Sequence, residues 1–460
     1  MRLSELAEGM RGKIVAGRPS GRVSNKVSID SRTVKAGETF IALSGERFDG
    51  HKFVKSAGQK GARTIVVSKQ SSIRRCPKGV NIILVDDTHE ALLDIARFVR
   101  KKYTDIPVVG LTGSSGKTTT KEIIRHLFSG SGKVLANKGN QNNLIGLPLN
   151  LVRLNSGYDI GVFEMAMNHQ GEIKKLSDIL RPDLALFTNI GDAHIGFFGS
   201  KEKIFNAKRE ILSGLKPGGA LIVNADDVYL RRLLRLKNRR VISYGIDRGA
   251  DFRATAIRKK GHLTEFTLKG IGAIRIERLG HFQIYNVLAA CACARFFGLS
   301  PREIAARLKG IRWPAMRSEI KNIGGMTFVF DCYNANPSSV VAVCEAFSAG
   351  FRDCHRVAVV GDMRELGAMS RRLHQKVGRH LAALDLEEVI AVGEEAKNIY
   401  NAVSLTKNPG MRFRWCRTAK EAALALKDIP RSRRRAVLLK GSREMRMEEI
   451  VQCYTTSFTR

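Results

Sequence analysis

The sequence predicts an α/β protein of three domains, in which a central parallel-sheet domain with a phosphate loop (P-loop) precedes a Rossmann-like, doubly wound domain. Three observations predict this arrangement. The chain has 460 residues, more than one hydrophobic core usually serves. Its apolar segments are near-continuous and alternate with helical patterns, as in sheets covered on both faces. One of these segments runs directly into a cluster of Gly, Ser, Lys and Thr, which offers almost no apolar surface.

Three blocks follow one another along the chain. The first block, residues 1–105, has short strands and ends in a helix. The central block, 106–313, alternates helices with the expected strands I-P-V-V-G-L, D-I-G-V-F-E-M, D-L-A-L-F-T-N-I and A-L-I-V-N-A-D. A β-rich insert (250–278) and two helices lead to a hinge-like R-W-P-A-M (312–316). The third block, 314–460, repeats the rhythm with four apolar strands, M-T-F-V-F-D, R-V-A-V-V-G-D, E-V-I-A-V-G and A-V-L-L-K-G.

Charge and cysteine content limit the classes of function. Lys and Arg number 78 against 43 Asp and Glu, a formal net charge of +35, which suits a nucleic acid, an anionic membrane surface or an acidic small substrate. The densest basic runs, 231–240 and 431–435, lack interleaved aromatic residues and so do not predict a single-strand stacking groove. The eight cysteines form no C-x-x-C pair, and no segment has the ~18–20 apolar residues needed to span a bilayer. We therefore expect a cytoplasmic protein with reduced thiols and no membrane span.

The Gly-rich cluster is a predicted phosphate loop, because it follows a buried strand and opens the helix K-E-I-I-R-H-L-F. Its glycines let backbone N–H groups turn towards phosphate oxygens, and the helix N-terminus adds partial positive charge. Lys117 can reach the β- and γ-phosphates, and the Thr118 hydroxyl can bind Mg²⁺. The alternative is a Gly-rich turn that only caps the helix. The expected contacts to a nucleoside triphosphate such as ATP are Gly113, Ser114, Ser115, Gly116, Lys117, Thr118 and Thr119.

Two polar residues lie where expected strands end. Glu164 closes V-F-E-M, and His194 lies in T-N-I-G-D-A-H beyond the next strand. Because the carboxyl ends of parallel strands meet at the ligand-binding edge of a sheet, both side chains are candidate ligands for Mg²⁺. The alternatives are a helix-capping or salt-bridged glutamate and a structural loop histidine.

Lys208 lies on the apolar face of an expected helix, S-K-E-K-I-F-N-A-K-R-E-I-L-S-G-L. At 3.6 residues per turn, that face is shared by Ile204, Phe205, Ala207, Ile211 and Leu212. A lysine there must find a partner or lose its charge. It either extends to the surface or is engaged in an active site, where a neutral amine can take up CO₂ and the carbamate can bind hard cations.

Together the phosphate loop, Glu164, His194 and the A-K-R-E-I helix resemble the Mur ligase family, the ATP-dependent amide ligases of peptidoglycan precursor synthesis. The resemblance implies that ATP binds the phosphate loop, that Glu164 and His194 hold Mg²⁺, and that Lys208 is carbamylated. It also implies contacts to adenine, γ-phosphate and ribose, made respectively by Asn286, Arg317 and Asp331. The implied catalytic residues are Lys117, Glu164, His194, Lys208 and Arg317. The implied metal ligands are Thr118, Glu164, His194 and Lys208.

Further motifs indicate which amide is formed. V-S-I-D-S-R-T and F-D-G-H resemble a uridine-diphosphate-sugar-binding domain of the family, and the sequence has no D-N-P-R motif for a single incoming amino acid. N-K-G-N-Q-N-N, D-C-Y-N-A-N-P-S-S and V-V-G-D-M-R-E-L-G resemble the members that add a dipeptide. The resemblance implies that D-alanyl-D-alanine is joined to UDP-N-acetylmuramoyl-tripeptide through an acyl phosphate. The implied substrate-binding residues are Ser31, Arg32, Asp49, Gly50, His51, Asn142, Asn143, Tyr333, Asn334 and Asn336.

The alternative functions differ in what they leave unexplained. A tripeptide-forming ligase of the same family would add one amino acid, and a folate polyglutamate ligase has no place for D-S-R and D-G-H in the first block. A nucleic-acid-binding P-loop ATPase would account for the charge but not for the first block. A scaffold that has lost catalysis is disfavoured by the intact phosphate-loop lysine. We expect a monomer that binds two small-molecule substrates and needs no nucleic acid.

Overall fold

The structure is a computed structural model that describes residues 1–45, 48–406, 410–430 and 434–456. Within these ranges the chain forms three sheets flanked by helices, which confirms the predicted α/β class. Part of the second basic run, residues 431–433, lies outside the described residues. None of the helices in the described ranges is long and apolar enough to cross a membrane.

The first block forms a small sheet with four helices. Its elements are α1 (Leu3–Gly9), β1 (Lys13–Ala16), β2 (Val27–Ser28), β3 (Thr39–Ile41), α2 (Val54–Gln59), β4 (Thr64–Val67), α3 (Gln70–Ile73), β5 (Asn81–Leu84) and α4 (Thr88–Lys102). The strand order is β1-β5-β4-β3-β2; β1 is antiparallel to β5, and the other pairs are parallel. Asp87 precedes helix α4, and its carboxylate accepts from the N–H groups of His89 and Glu90 and so caps the helix.

The central block forms a nine-stranded sheet. Its elements are β6 (Val108–Thr112), α5 (Lys117–Ser129), β7 (Val134–Ala136), α6 (Gly146–Leu151), β8 (Ile160–Glu164), α7 (Glu172–Leu180), β9 (Leu184–Phe187), α8 (Ile195–Phe198), α9 (Lys201–Arg209), β10 (Ala220–Asn224), β11 (Arg240–Gly245), β12 (Phe252–Lys260), β13 (Leu263–Leu268), β14 (Gly272–Glu277), α10 (Phe282–Phe296) and α11 (Pro301–Leu308). The strand order is β14-β13-β12-β11-β10-β9-β6-β8-β7. Strands β6, β8, β9 and β10 are buried along their whole length, which explains their near-continuous apolar sequences. The predicted β-rich insert is the antiparallel ladder β12-β13-β14.

The third block forms a six-stranded sheet. Its elements are β15 (Glu319–Ile323), β16 (Met326–Phe330), α12 (Pro337–Gly350), β17 (Cys354–Gly361), α13 (Ser370–Ala382), β18 (Glu388–Val392), α14 (Lys397–Ser404), β19 (Arg412–Cys416), α15 (Ala419–Ala425), β20 (Arg434–Lys440) and α16 (Glu449–Thr456). The strand order is β15-β16-β20-β17-β18-β19; β15 is antiparallel to β16, and the other pairs are parallel. The four predicted strands are β16, β17, β18 and β20.

The sequence prediction was incomplete at both edges of this sheet. Strand β15 reads E-I-K-N-I and β19 reads R-F-R-W-C, so each has charged or polar residues among its apolar ones. Edge strands are half exposed and need no continuous apolar run. Counting only uninterrupted apolar runs therefore finds the buried strands and misses the two edge strands.

Internal contacts divide the chain into two compact units. The first unit comprises Met1–Leu111, Ser131–Ala185 and Glu210–Gly219. The second unit comprises Thr112–Gly130, Leu186–Arg209 and Ala220–Arg460. The domain boundaries expected from the sequence, 1–105, 106–313 and 314–460, remain predictions.

In the first unit, a buried arginine joins helix α4 to the segment that follows α7. Arg100 is 1% exposed, and its guanidinium lies 3.3 Å from the Asp183 carboxylate. It also donates, over 2.7–3.2 Å, to the backbone carbonyls of Tyr103, Ile106, Leu180 and Arg181. Several acceptors that are distant in sequence therefore depend on a single side chain.

We predict that Arg100→Met lowers the free energy of unfolding by about 3–5 kcal/mol, because it leaves buried acceptors and a carboxylate without their donor. Urea unfolding followed by circular dichroism measures this change. Arg97→Met is the matched control on the same helix: Arg97 is 45% exposed and pairs with Asp94, so its loss should cost less than about 1 kcal/mol. Equal losses in the two variants would contradict the structural role of Arg100.

Candidate active site

The predicted phosphate loop lies between the end of β6 and the start of α5 and has the strand–loop–helix context that its sequence predicts. Gly113 has φ +153° and Gly116 has φ +82°, a backbone region that side chains disfavour. A Cβ at Gly113 would overlap Thr188 Oγ1, and one at Gly116 would overlap Asn286 Oδ1. Both positions therefore require glycine for conformation and for space.

A second loop, residues 188–191 after β9, supports the phosphate loop. Asn189 accepts from the N–H of Ser114 through its carbonyl and from the N–H of Ser115 through its side chain, both over 2.9 Å. Thr188 Oγ1 donates to the Ser115 carbonyl over 2.7 Å, and the N–H of Gly191 donates to Ser114 Oγ over 2.8 Å. The sequence analysis selected only His194 from T-N-I-G-D-A-H. It did not predict that residues 188–191 support the phosphate loop.

Two cations lie at the start of α5. Lys117 Nζ donates to the Gly113 carbonyl over 2.8 Å, so its ammonium group stays over the loop. Arg317 of the third block donates through Nη2 to Thr118 Oγ1 over 3.4 Å, and its guanidinium carbon lies 4.3 Å from the Tyr333 ring centre. The structure thus brings together three predicted ATP contacts and one predicted substrate contact.

His194 and Lys208 lie in the same electrostatic environment. His194 begins α8 with φ +64°, its side chain is 12% exposed, and its Nδ1 lies 2.9 Å from Glu365 Oε2. The pKa of His194 is lowered, chiefly because the ring is buried; the Glu365 carboxylate opposes this shift, and the positive charges of Lys208 and Lys117 add to it. The imidazole is therefore neutral near pH 7, which is the form that can bind a cation through a ring nitrogen.

Lys208 is completely buried on α9, as the helical periodicity predicts. Ile204, Phe205 and Ala207 are buried beside it in sequence, whereas Lys203 and Arg209 are exposed. The predicted single helix is shorter than expected, because α9 ends at Arg209 and a 3₁₀ turn spans Glu210–Leu212. The extended, surface-reaching alternative for Lys208 is wrong.

The third block places two predicted residues in internal roles. Both oxygens of the Asp331 carboxylate are engaged: Oδ1 accepts from the N–H of Ser318 over 3.2 Å, and Oδ2 lies 3.2 Å from Lys440 Nζ. Lys440 also donates to the Asn334 carbonyl over 2.7 Å. The sequence analysis did not select Lys440, although a lysine at the end of the apolar strand A-V-L-L-K-G was a usable signal.

Asn336 caps helix α12 and contacts the phosphate loop. Its Oδ1 accepts from the N–H of Ser339 over 3.0 Å, and its Nδ2 donates to Ser115 Oγ over 3.3 Å. Asn286 has a comparable place on α10: its Oδ1 accepts from Thr120 Oγ1 over 3.2 Å, beneath Gly116. The predicted substrate and adenine contacts of these two asparagines stay predictions.

In the first unit, Glu164 is 2% exposed at the end of β8. Asn142 Nδ2 donates to Glu164 Oε1 over 2.8 Å, so this predicted substrate contact holds the predicted metal ligand. Asn143 Oδ1 accepts from the N–H of Gly146 over 2.8 Å at the start of α6.

The predicted uridine-diphosphate contacts form two groups in the first unit. Arg32 is exposed, and its Nη2 lies 2.8 Å from Asp30 Oδ2; this hydrogen bond lowers the pKa of Asp30 to about 2. Asp49 binds Lys69 Nζ over 2.6 Å and His51 Nδ1 over 2.8 Å. The hydrogen bond from Lys69 chiefly lowers the pKa of Asp49, and the bond from His51 lowers it further. The Arg32 side chain is 85% exposed and can be reached by an anionic ligand, whereas Ser31 beside it in sequence is buried.

The second group is built into the fold. His51 is 2% exposed and its Nε2 accepts from the N–H of Ser68 over 3.0 Å. A Cβ at Gly50 would lie 2.7 Å from the Leu43 carbonyl oxygen. Asp49, Gly50 and His51 therefore have structural roles within the fold. Their predicted substrate contacts stay predictions.

Sequence profiles of one family match the chain in three segments. The profile described as Mur ligase family, catalytic domain, matches residues 24–100. The Mur ligase middle domain matches residues 111–294, and the Mur ligase, glutamate ligase domain, matches residues 316–443.

Curated relatives match the chain over nearly its full length. A UDP-N-acetylmuramoyl-tripeptide--D-alanyl-D-alanine ligase of Bacillus subtilis (strain 168) is 33% identical, with 98% of this chain and 97% of the relative covered. The ligase of the same name from Escherichia coli (strain K12) is 35% identical, with the same shares covered.

Two solved structures are similar to this chain over nearly its full length. MurF from Acinetobacter baumannii has a TM-score of 0.90 and 30% identity, covering 99% of this chain and 98% of that chain. MurF ligase from Thermotoga maritima in complex with ADP has a TM-score of 0.82 and 28% identity, covering 94% of this chain and 98% of that chain.

We predict that Gly113→Ala weakens the binding of ATP by on the order of 100-fold, because a methyl group there displaces Thr188 and forces the phosphate loop out of shape. Isothermal titration calorimetry with ATP measures the affinity. Gly218→Ala is the matched control, since Gly218 also has a positive φ (+75°) but an added Cβ meets no described atom within 4 Å. ATP affinity unchanged in Gly113→Ala would contradict the steric requirement.

Proposed function

Because the chain belongs to the Mur ligase family, we propose the residues by which it performs that family's ATP-dependent amide ligation. It joins D-alanyl-D-alanine to UDP-N-acetylmuramoyl-tripeptide and releases ADP and phosphate. This function is supported chiefly by the full-length similarity of the chain to ligases that are named for that reaction. The intact phosphate loop is consistent with it. The cytoplasmic location and the monomeric state expected from the sequence remain predictions.

The reaction needs an activated carboxyl group, since a carboxylate and an amine do not condense in water. The terminal carboxylate of the tripeptide attacks the γ-phosphorus of ATP, the bond to the bridging oxygen breaks, and ADP leaves. The dipeptide amine then attacks the acyl phosphate through a tetrahedral intermediate, loses a proton and expels phosphate. The protein must align these groups and offset the repulsion between two anions.

The positions of Lys117 and Arg317 support their assignment to this charge compensation. Both lie at the start of α5, one held by the loop carbonyls and the other 3.4 Å from the Thr118 hydroxyl. Cations fixed in advance cost no reorganisation when negative charge develops on the transferring phosphoryl group. Arg317 lies in the third block, so the arrangement that completes phosphoryl transfer depends on that block's position beside the phosphate loop.

The donor set fits Mg²⁺ if Lys208 is modified. Nowhere in the described part of the chain do three His, Cys, Asp or Glu side chains come together as a ready metal site. A carbamate on the buried Lys208 would add hard oxygen donors to the Thr118 hydroxyl and the neutral His194 ring, and bound Mg²⁺ would neutralise phosphate charge. In the first unit, Glu164 stays a predicted ligand, with its carboxylate oriented by Asn142.

We predict that ADP release in the presence of Mg²⁺ and ATP requires both UDP-N-acetylmuramoyl-tripeptide and D-alanyl-D-alanine, because neither substrate alone completes the reaction. A coupled assay follows ADP, and mass spectrometry identifies the pentapeptide product. Samples with each substrate alone, with a single amino acid and UDP-N-acetylmuramoyl-dipeptide, and with DNA or RNA are the controls. Release supported by a single amino acid would indicate a tripeptide-forming ligase, and release stimulated only by nucleic acid would refute the ligase assignment.

We also predict that Lys208→Ala lowers turnover by on the order of 100-fold or more, because it removes the carbamate that fixes charge at the site. Short carboxylates such as formate or acetate should restore part of the rate by occupying the vacated space. Lys203→Ala is the matched control, an exposed lysine on the same helix, and should keep full activity. Full activity in folded Lys208→Ala protein would rule out the proposed role of this lysine.

A further inference from the structure

Glu365 lies in the turn R-E-L-G, between β17 and α13 of the third block. It has φ +63°, in the left-handed region that few residues other than glycine adopt. The two residues that precede Glu365 anchor the turn through their backbone N–H groups. The N–H of Met363 donates to His374 Nε2 over 3.0 Å, and the N–H of Arg364 donates to Ser442 Oγ over 2.9 Å. The backbone from which the Glu365 side chain extends is therefore fixed in place.

This turn packs directly on α8 of the central block. The N–H of Gly196 donates to the Glu365 carbonyl over 3.1 Å. A Cβ at Gly196 would lie 2.6 Å from both the Glu365 carbonyl oxygen and the Gly367 nitrogen, so only glycine permits this approach. With the two backbones fixed against each other, the Glu365 carboxylate reaches His194 Nδ1 at 2.9 Å.

The contact selects one form of the histidine ring. Glu365 Oε2 lies within ion-pair distance of Nδ1, although the two groups are not aligned as a hydrogen bond in the structure. A neutral imidazole carries one N–H and a carboxylate can only accept, so this contact favours the proton on Nδ1 and the lone pair on Nε2. Histidines that bind metals commonly donate their other ring N–H to a carboxylate in this way, which fixes the ring and raises its basicity.

We propose that Glu365 is a positioning residue that holds His194 as the Nδ1–H tautomer, with Nε2 presented as a cation ligand. This proposal rests on the proposed function, in which His194 binds Mg²⁺. Glu365 belongs to the third block and His194 to the central block. The ligand nitrogen is therefore oriented only while the Glu365 turn rests on α8, which links cation binding to the position of the third block.

The test compares Glu365→Ala, which removes the acceptor, with Glu365→Gln, which keeps an acceptor oxygen but not the charge. Two-dimensional ¹H–¹⁵N spectra of the ligand-free, ¹⁵N-histidine-labelled full chain report the tautomer, and His194→Gln identifies the His194 signals. We expect the Nδ1–H pattern in the wild type and in Glu365→Gln, and a shift towards the Nε2–H pattern in Glu365→Ala.

The second readout is the Mg²⁺ concentration that gives half-maximal ADP release. We expect this concentration to rise about tenfold or more in Glu365→Ala, with the KM for D-alanyl-D-alanine unchanged and partial recovery in Glu365→Gln. Glu345→Ala is the matched control, because Glu345 pairs with His380 Nε2 over 2.8 Å elsewhere in the third block. It should change neither the His194 signals nor the Mg²⁺ dependence.

An Nδ1–H pattern that persists in Glu365→Ala would overturn the proposal, as would a lower kcat with an unchanged Mg²⁺ requirement. Equal effects in Glu345→Ala would also overturn it, since they would indicate a general change in the third block. The tautomer is measured without substrates. A wild-type protein that shows the expected tautomer but releases no ADP would therefore refute the proposed function and not the Glu365–His194 contact.

Discussion

The absence of side chains at Gly113 and Gly116 is the constraint on which the candidate site depends. Both residues have positive φ, and in each case a neighbouring polar side chain occupies the space where a Cβ would be. Thr188 can approach the loop this closely only because Gly113 has no side chain. The hydrogen bonds of Thr188 and Asn189 then fix the shape of the loop. The loop shape fixes the direction of the start of α5. The first N–H groups of this helix, which have no intrahelical acceptors, therefore point together towards one anion-binding position.

The rigid loop in turn organises the charges around it. Lys117, Arg317 and Lys208 bring three cationic side chains to this part of the second unit, and Lys208 is fully buried. Concentrating cations in a partly desolvated region is unfavourable unless negative charge compensates them. A nucleoside triphosphate supplies several negative charges, and a carbamate would change the charge of Lys208 itself. The arrangement is thus suited to a polyanion, and in the same region burial lowers the pKa of the His194 ring.

Much of the fold could be predicted from the sequence, because it depends on local patterns. Buried strands such as β6 and β8 are continuous apolar runs, and the phosphate loop is a local motif between a strand and a helix. The position of Lys208 on the apolar face followed from helical periodicity, and its complete burial decides between the two alternatives that the sequence left open. The edge strands β15 and β19 were missed because partial exposure gives them mixed sequences.

The missing parts of the site depend on contacts that no local pattern records. Asn336 reaches Ser115 across 221 positions of sequence, and Lys440 reaches Asn334 across 106. A single sequence indicates the chemical type of each residue but not which distant residue it meets. For this reason Asn142 and Asn336 resembled substrate contacts, whereas the structure also gives them partners within the chain.

The two predicted protein ligands at strand ends, Glu164 and His194, share one principle of construction within their separate units. Asn142 donates to one oxygen of Glu164, and Glu365 lies against one nitrogen of His194. In each pair the partner contacts one atom of the predicted ligand and so helps to fix the direction of that ligand. On this view, the amide of Asn142 and the carboxylate of Glu365 are not interchangeable, because a carboxylate ligand needs a donor beside it and an imidazole N–H needs an acceptor.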